Sequence, residues 1–69
     1  MAVSNKKIAA NFRRIRSKKG YSLEKVARLA DLSLNTIIKI ESGVNQNPTI
    51  ETLIKVAQAL EAEVNDLIR

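Results

Sequence analysis

Residues 22–41, with the sequence SLEKVARLADLSLNTIIKIE, predict two short helices separated by one tight turn. In the first half of this stretch the apolar residues recur at spacings of three and four, as on one face of an α-helix: Leu23, Val26, Ala27 and Ala30. Ser22 precedes them, and a serine hydroxyl accepts a hydrogen bond from an unpaired amide in the first helical turn. We therefore expect Ser22 to cap this helix.

The turn falls at residues 31–33, Asp-Leu-Ser. Aspartate is one of the few residues other than glycine that tolerate a left-handed backbone, and serine is a common helix cap. We therefore expect Asp31 to end the first helix of the stretch and Ser33 to begin the second. The second helix is expected to end at Gly43, because glycine readily adopts the left-handed conformation that follows many helices.

Another helix is predicted before this stretch, from a cap at Ser4 or Asn5 to about Lys19, where Gly20 stops it. Its inner face is expected to carry Ile8, Phe12 and Ile15. Four basic side chains then point mostly outward: Arg13, Arg14, Lys18 and Lys19. They are placed either to approach phosphates or to form an ordinary solvated surface.

Two more helices are predicted after the stretch. A polar loop, residues 44–48, contains a proline that disfavours helix at the residue before it. Thr49 then caps a fourth helix, and residues 64–68 form a short terminal one. The fourth helix has an apolar stripe that we assign to the core: Ile50, Leu53, Val56, Ala57 and Leu60.

The composition limits the chemistry of the chain. Its 69 residues suit one small domain covering residues 1–69, of which residues 1–5 are expected to form a flexible N-terminal arm. With no cysteine and no histidine, it lacks disulfides, thiolate ligands and the usual ligands of transition metals. Its acidic residues do not have the spacing of a calcium-binding loop. We expect no metal and no cofactor.

The same composition argues against an enzyme, because the chain has no histidine, no thiol, no cluster of carboxylates and no phosphate-binding loop. The longest apolar runs have two or three residues, too few to span a membrane. Residues 1–7 lack the hydrophobic segment of a signal peptide. We therefore expect a soluble, cytoplasmic protein.

The net charge of +5 is unevenly distributed. Residues 1–28 contain nine Lys or Arg residues and one acidic residue, whereas residues 29–69 contain three basic and six acidic residues. A strongly basic half is typical of a protein that binds a polyanion. Taken without a motif, the same charges also fit a solvated helix face that serves solubility.

The pattern of small and apolar residues in 22–41 resembles the helix-turn-helix of the phage repressor and Cro family. The matching positions are the small residue at the helix crossing, the hydrophobe before it, one hydrophobe in the turn and two in the second helix: Ala27, Val26, Leu32, Ile37 and Ile40. Asp31 stands where the family usually has glycine. The resemblance implies an all-α, five-helix bundle of the lambda-repressor-like type over residues 8–68, with the helix-turn-helix formed by the second and third helices.

Two further expectations follow from the resemblance. The family has an arginine in the first helix that pairs with a glutamate near the end of the third, and the matching residues here are Arg16 and Glu41. We expect them to form a partly buried ion pair, the alternative being two exposed charges. Relatives also have glycine and a serine or threonine cap before the last helix, where this chain has Glu61 and Glu63. We therefore expect the last two helices to be less cleanly separated than usual.

The resemblance implies that the helix at residues 33–42 enters the major groove of double-stranded DNA. Base-reading positions are then Ser33, Leu34, Asn35, Ile38 and Lys39. Asn35 suits adenine, Lys39 suits guanine and Leu34 suits a thymine methyl. Residues placed for the DNA backbone are Ser22, Leu23, Thr36, Ser42, Asn45, Gln46, Asn47, Arg13 and Lys18. Leu23 stands where relatives commonly have glutamine, so its contact would fall to backbone amides at a helix N-terminus.

One such helix touches few base pairs, so specific binding usually needs two copies on an inverted repeat. We expect a homodimer, at least on DNA, formed through Val64, Leu67 and Ile68, although these residues would equally serve to close the core. The expected function is sequence-specific transcription regulation of the bacterial or phage repressor or controller type, with no small-molecule ligand. The alternative is a protein-interaction module, antitoxin-like or an anti-repressor target, that uses the Leu34 and Ile38 surface and binds DNA only weakly.

Overall fold

The computed structural model describes residues 5–44 and 48–69, and these two ranges contain five α-helices and no strand. The helices are α1 (Asn5–Lys19), α2 (Leu23–Ala30), α3 (Leu34–Ser42), α4 (Ile50–Ala59) and α5 (Val64–Ile68). The all-α, five-helix prediction is confirmed. The predicted arm at residues 1–5 and the loop at residues 45–47 lie outside the described residues, except for Asn5, which begins α1.

The turn between α2 and α3 has the predicted chemistry. The Ser22 hydroxyl accepts the Lys25 N–H at 3.0 Å, and Asp31 ends α2 in the left-handed conformation, with φ 57°. The Ser33 hydroxyl accepts the Thr36 N–H at 3.1 Å, which begins α3. Gly43, with φ 71°, ends α3 in the left-handed region. The predicted caps and turn are therefore confirmed residue by residue.

The core lies where all five helices meet. Its largest fully enclosed side chains come from each of them: Phe12, Val26, Ile37, Val56, Leu60 and Leu67. Helix α3 packs against α1 and α2, α4 packs against α2 and α5, and α5 closes onto α1. This arrangement covers one side of α3 with two helices and leaves its other side at the surface.

One predicted core residue is at the surface instead. The apolar spacing of the fourth helix predicts Ile50 in its core stripe, but 65% of the surface of Ile50 is exposed. The prediction was wrong because Ile50 is the first residue of α4, ahead of the segment that the neighbouring helices cover. The rest of the stripe is buried, and Ala59 joins it.

The separation of the last two helices also differs from the prediction. Glu61 takes the left-handed conformation, with φ 56°, and so fills the role that glycine has in relatives. Glu63 is extended and begins α5, and its N–H donates to the Asp66 carboxylate at 2.9 Å. The break is therefore sharp, because a strained glutamate and a carboxylate cap replace the glycine and the hydroxyl cap.

None of the helices in the described ranges is both long enough and apolar enough to cross a membrane. Within residues 5–44 and 48–69, no group of three or more acidic side chains is placed to hold a metal ion.

Candidate nucleic-acid interface

Helix α3 presents two unlike sides. Its inner side carries Ile37 and Ile40, which are buried in the core. Its outer face, a name we use for the exposed residues between its caps, consists of Leu34, Asn35, Ile38, Lys39 and Ser42. Ser33 precedes this face and is exposed as well. The five predicted base-reading residues therefore lie together at the surface, on and beside one helix.

The outer face is divided lengthwise by chemistry. Leu34 and Ile38 are four residues apart and therefore lie above one another on the helix surface. Asn35 and Lys39 have the same spacing and form a second row beside them. We call these rows the apolar stripe, Leu34 and Ile38, and the polar stripe, Asn35 and Lys39. The face can thus offer hydrogen bonds along one stripe and apolar contact along the other.

The hydroxyl groups near this face are already used by the helix ends. Ser33 Oγ accepts the Thr36 N–H and lies 2.9 Å from Thr36 Oγ1. At the other end, Ser42 Oγ donates to the Lys39 carbonyl at 3.0 Å and accepts the Val44 N–H at 3.3 Å. These hydroxyls position the ends of α3, and a phosphate contact from them would share or replace these bonds.

Two arginines of α1 hold the last turn of α3. Arg16 Nη2 donates to Glu41 Oε2, and the two side chains are 19% and 23% exposed. Arg16 Nη1 also donates to the Tyr21 carbonyl at 3.0 Å. Arg13 Nη1 donates to the Glu41 backbone carbonyl at 2.7 Å. The side chain and the backbone carbonyl of Glu41 therefore both join α3 to α1.

The contact of Arg13 with α3 was not predicted from the sequence, which indicates for Arg13 either a DNA-backbone contact or an ordinary solvated surface. Arg13 and Arg16 are three residues apart and so lie on neighbouring parts of the α1 surface, but this spacing does not by itself specify a bond to a residue 28 positions away. The arginine has five N–H donors, so the bond to Glu41 still leaves donors for a phosphate. Arg13 is an exposed residue despite this bond.

The other residues predicted to contact the DNA backbone lie in different surroundings. Lys18 is exposed on α1, and Ser22 is exposed at the start of α2. Leu23 is half-buried and packs against the core, so a phosphate contact at this position would fall to its backbone N–H. Residues 45–47, Asn-Gln-Asn, lie outside the described residues.

The residues predicted to form a dimer interface do not share one environment. Leu67 has no exposed surface and belongs to the core of its own chain. Val64 and Ile68 are half-buried and pack at the edge of that core. The part of the prediction that used Leu67 is therefore corrected, because a fully enclosed side chain has no surface to offer a second copy.

A model of the helix-turn-helix family matches residues 12–67. The transcriptional regulator SlrR of Bacillus subtilis is 40% identical over 52 residues, which cover 75% of this chain and 34% of SlrR. The regulator SinR of the same species is 33% identical over 61 residues, which cover 88% of this chain and 55% of SinR. The chain thus spans between a third and somewhat over half of these two relatives.

Among solved structures, the restriction-modification controller protein C.AhdI from Aeromonas hydrophila superposes with a TM-score of 0.82. It is 31% identical, and the match covers 88% of this chain and 91% of C.AhdI. The chain therefore belongs to the helix-turn-helix family of phage repressor and Cro type, a family of DNA-binding domains of transcription regulators. This family is not an enzyme class.

Proposed function

We propose that this domain binds double-stranded DNA sequence-specifically and regulates transcription, by inserting the helix at residues 33–42 in the major groove. The observation that carries the proposal is the outer face of α3, which is exposed while α1 and α2 hold the helix from behind. An α-helix fits the width of the major groove, where each base pair shows a distinct set of donors, acceptors and methyl groups.

The proposed contacts fall into two groups. The base-reading group consists of Ser33, Leu34, Asn35, Ile38 and Lys39. The backbone group, which fixes the position of the helix without reading sequence, consists of Ser22, Leu23, Thr36, Ser42, Asn45, Gln46, Asn47, Arg13 and Lys18. The Arg16 and Glu41 pair has a structural role, since it connects α3 to α1 behind the outer face.

We further propose that two copies bind an inverted repeat, with half-sites about 34 to 36 Å apart. A single helix contacts too few base pairs for a specific site, so the second copy supplies the missing information. Val64 and Ile68 at the edge of the core are the proposed contact between copies. The controller protein C.AhdI, which has the same fold, supports a regulator of the repressor or controller type.

Selection from a duplex library with a random core, at a stated physiological salt concentration, tests this function. Salt must be fixed because phosphate contacts alone give an affinity that falls steeply as salt rises. We expect enrichment of an inverted repeat with half-sites one helical turn apart. Recovery of unrelated sequences, with binding that depends on salt alone, would contradict the proposal.

A second candidate function is a protein-interaction module of the antitoxin or anti-repressor-target kind. It is favoured by the exposure of Leu34 and Ile38, which are 38% and 43% exposed on the side of α3 that no other helix covers. Paired exposed hydrophobes often mark a partner surface. This candidate predicts weak, electrostatic DNA binding, so the library selection separates the two functions.

A further inference from the structure

Hydrogen bonds from the polar stripe to base edges would leave the exposed apolar stripe of α3 without a role of its own. Leu34 and Ile38 have no hydrogen-bonding group in their side chains, so they cannot distinguish the donors and acceptors of base edges. The nearest hydroxyls on α3, those of Ser33 and Thr36, are bonded to each other. This side of the helix therefore offers apolar contact over its first two turns.

The surroundings of the apolar stripe favour a polyanion over an apolar protein groove. Glu41 is three residues beyond Ile38 and so is its neighbour on the helix surface, at the edge between the outer face and α1, where Arg13 and Arg16 bind it. Because Glu41 balances one of these arginines, the border carries a net positive charge. On the other side the stripe borders Lys39. An apolar strip between cationic groups matches a DNA groove, which combines phosphates with a few apolar groups on the bases.

The major groove contains one apolar group that such a strip can recognise, which is the methyl group at C5 of a pyrimidine. We propose that Leu34 and Ile38 recognise C5-methyl groups, so that the preferred half-site carries methylated pyrimidines opposite this side of α3. The proposal deepens the proposed function and rests on it. The methyl group has two sources in DNA, thymine and 5-methylcytosine.

The geometry limits where these pyrimidines lie. Side chains four residues apart on a helix are separated by about 5 to 6 Å. Successive bases along a strand are about 3.4 Å apart. The two side chains therefore address bases one or two steps apart, and the recognised methyl groups should form one short cluster in each half-site.

The test begins with the site obtained by library selection and changes one methyl group at a time. In the first arm, each thymine is replaced by uracil, which removes the methyl group and keeps the base pair. In the second arm, each cytosine is replaced by 5-methylcytosine. Fluorescence anisotropy at fixed salt measures the dissociation constant of each duplex. Loss of affinity in the first arm assigns thymine as the source, and gain in the second assigns 5-methylcytosine.

We expect about a fourfold change for each contacted methyl group, the effect of burying one methylene-sized group. The change should occur at one or two clustered positions in each half-site. Leu34→Ala and Ile38→Ala should each bind the methylated and unmethylated duplexes equally well at one of these positions. This double-mutant comparison separates a contact from a general loss of affinity.

Ile54→Ala is the matched control. Ile54 is 42% exposed, close to the 43% of Ile38, but it lies on α4. The control should keep the fourfold sensitivity to the methyl group. Thermal melts of the three variants verify that each one folds.

The outcomes separate the inference from the function on which it rests. Sequence-specific binding with no response to either base change would overturn the inference and leave the proposed function standing. A response at any one methyl position that persists unchanged in both the Leu34 and the Ile38 variant would also overturn it. Failure to select any sequence would overturn both, and would move attention to a protein partner of the apolar stripe.

Discussion

Asn35 and Lys39 are the residues whose loss should change which DNA sequence is bound. Each polar side chain can make paired contacts with a base, worth about 1 to 3 kcal/mol of discrimination. Asn35→Ala and Lys39→Ala should therefore each lose preference at one base pair and keep it elsewhere. Binding to a panel of single-base variants of the selected site measures this. A uniform loss across the whole panel would show that these residues do not read bases.

Glu41 should be the polar residue on which stability depends most. Removing one partner of a buried ion pair costs about 3 to 5 kcal/mol, whereas an exposed pair contributes about 0 to 1. Arg16 and Glu41 are each about one-fifth exposed, so we expect Glu41→Gln to cost about 2 kcal/mol. Thermal unfolding should then show a melting temperature lower by about 10 °C. A shift of a degree or two would show that the pair behaves as an exposed one.

Glu61→Gln is the control for that experiment, because it removes the same charge from an exposed ion pair. The stability contributed by this exposed pair should also depend on pH. Lys19 Nζ and Glu61 Oε1 are 2.9 Å apart. Their hydrogen bond lowers the pKa of Glu61 from its ordinary value of 4.5 and raises the pKa of Lys19 from 10.5. A lowered carboxyl pKa means that the stabilisation is present above pH 4.5 and lost as the pH falls through the folded-state value.

Melts at neutral pH and at about pH 3 compare the parent chain with the Glu61 variant. We expect a small difference at neutral pH, because both side chains face solvent and water screens the pair. That difference should disappear in acid. A difference that grows as the pH falls would contradict the assigned direction of the pKa shift.

At the scale of single residues, the sequence predicts which residues form the outer face of α3, but not every contact that holds α3 against α1. The spacing of Leu34, Asn35, Ile38 and Lys39 on a helix is a local property, so their common exposure could be predicted. The bond from Arg13 to the Glu41 carbonyl joins residues 28 positions apart. Such a contact depends on how α1 and α3 cross, which the local pattern does not specify.

At the scale of elements, the turn between α2 and α3 depends on one residue with an unusual backbone. Asp31 has φ 57°, where residues with a side chain are strained and glycine is not. Asp31→Gly should therefore be more stable than Asp31→Ala by about 1 kcal/mol, after the greater chain entropy of glycine is allowed for. Thermal melts should separate the two variants by about 4 to 8 °C.

The same pair of substitutions at an ordinary helical position provides the control. At Gln58, an exposed residue within α4, glycine should be less stable than alanine by about 1 kcal/mol. The order of the two variants should thus reverse between Asp31 and Gln58. The same order at both positions would mean that the left-handed conformation of Asp31 is not the source of the effect.

Helix positions and caps were predictable because they depend on residues close together in the chain. Two wrong predictions, at Ile50 and Glu61, show where local sequence no longer predicts the structure. Ile50 fits the apolar period of α4 but is exposed, since periodicity does not show how far the neighbouring helices reach. Glu61 lacks the usual signal for a helix break, yet it turns the chain sharply between α4 and α5. The turn at this strained residue directs the chain into α5, which packs against α1 and α4.

At the scale of the whole molecule, self-association on DNA is expected to pass through Ile68. Ile68→Lys places a charge at the edge of the core and should weaken binding to a duplex with two half-sites by about a hundredfold, as expected when linked binding is lost. Binding to a single half-site should not change, which verifies that the domain still folds. Sedimentation of protein with duplex DNA, together with anisotropy, measures both quantities.

Ile50→Lys is the matched control, because Ile50 is an exposed isoleucine at the start of α4. It should leave binding to both duplexes unchanged. If Ile68→Lys also binds the paired half-sites normally, the copies do not meet at this edge. An effect confined to the Ile50 variant would place the contact on α4.

The sequence by itself determined the five helices, the caps at Ser22, Ser33 and Thr49, the turn at Asp31 and membership of the helix-turn-helix family. These features depend on periodicity, capping chemistry and the spacing of a few small and apolar residues, all of which are local. Tertiary structure alone decided that Leu67 is enclosed, that Ile50 is exposed and that Arg13 binds the last turn of α3. Burial and long-range bonds depend on which helix covers which, and that results from the packing of all five helices together.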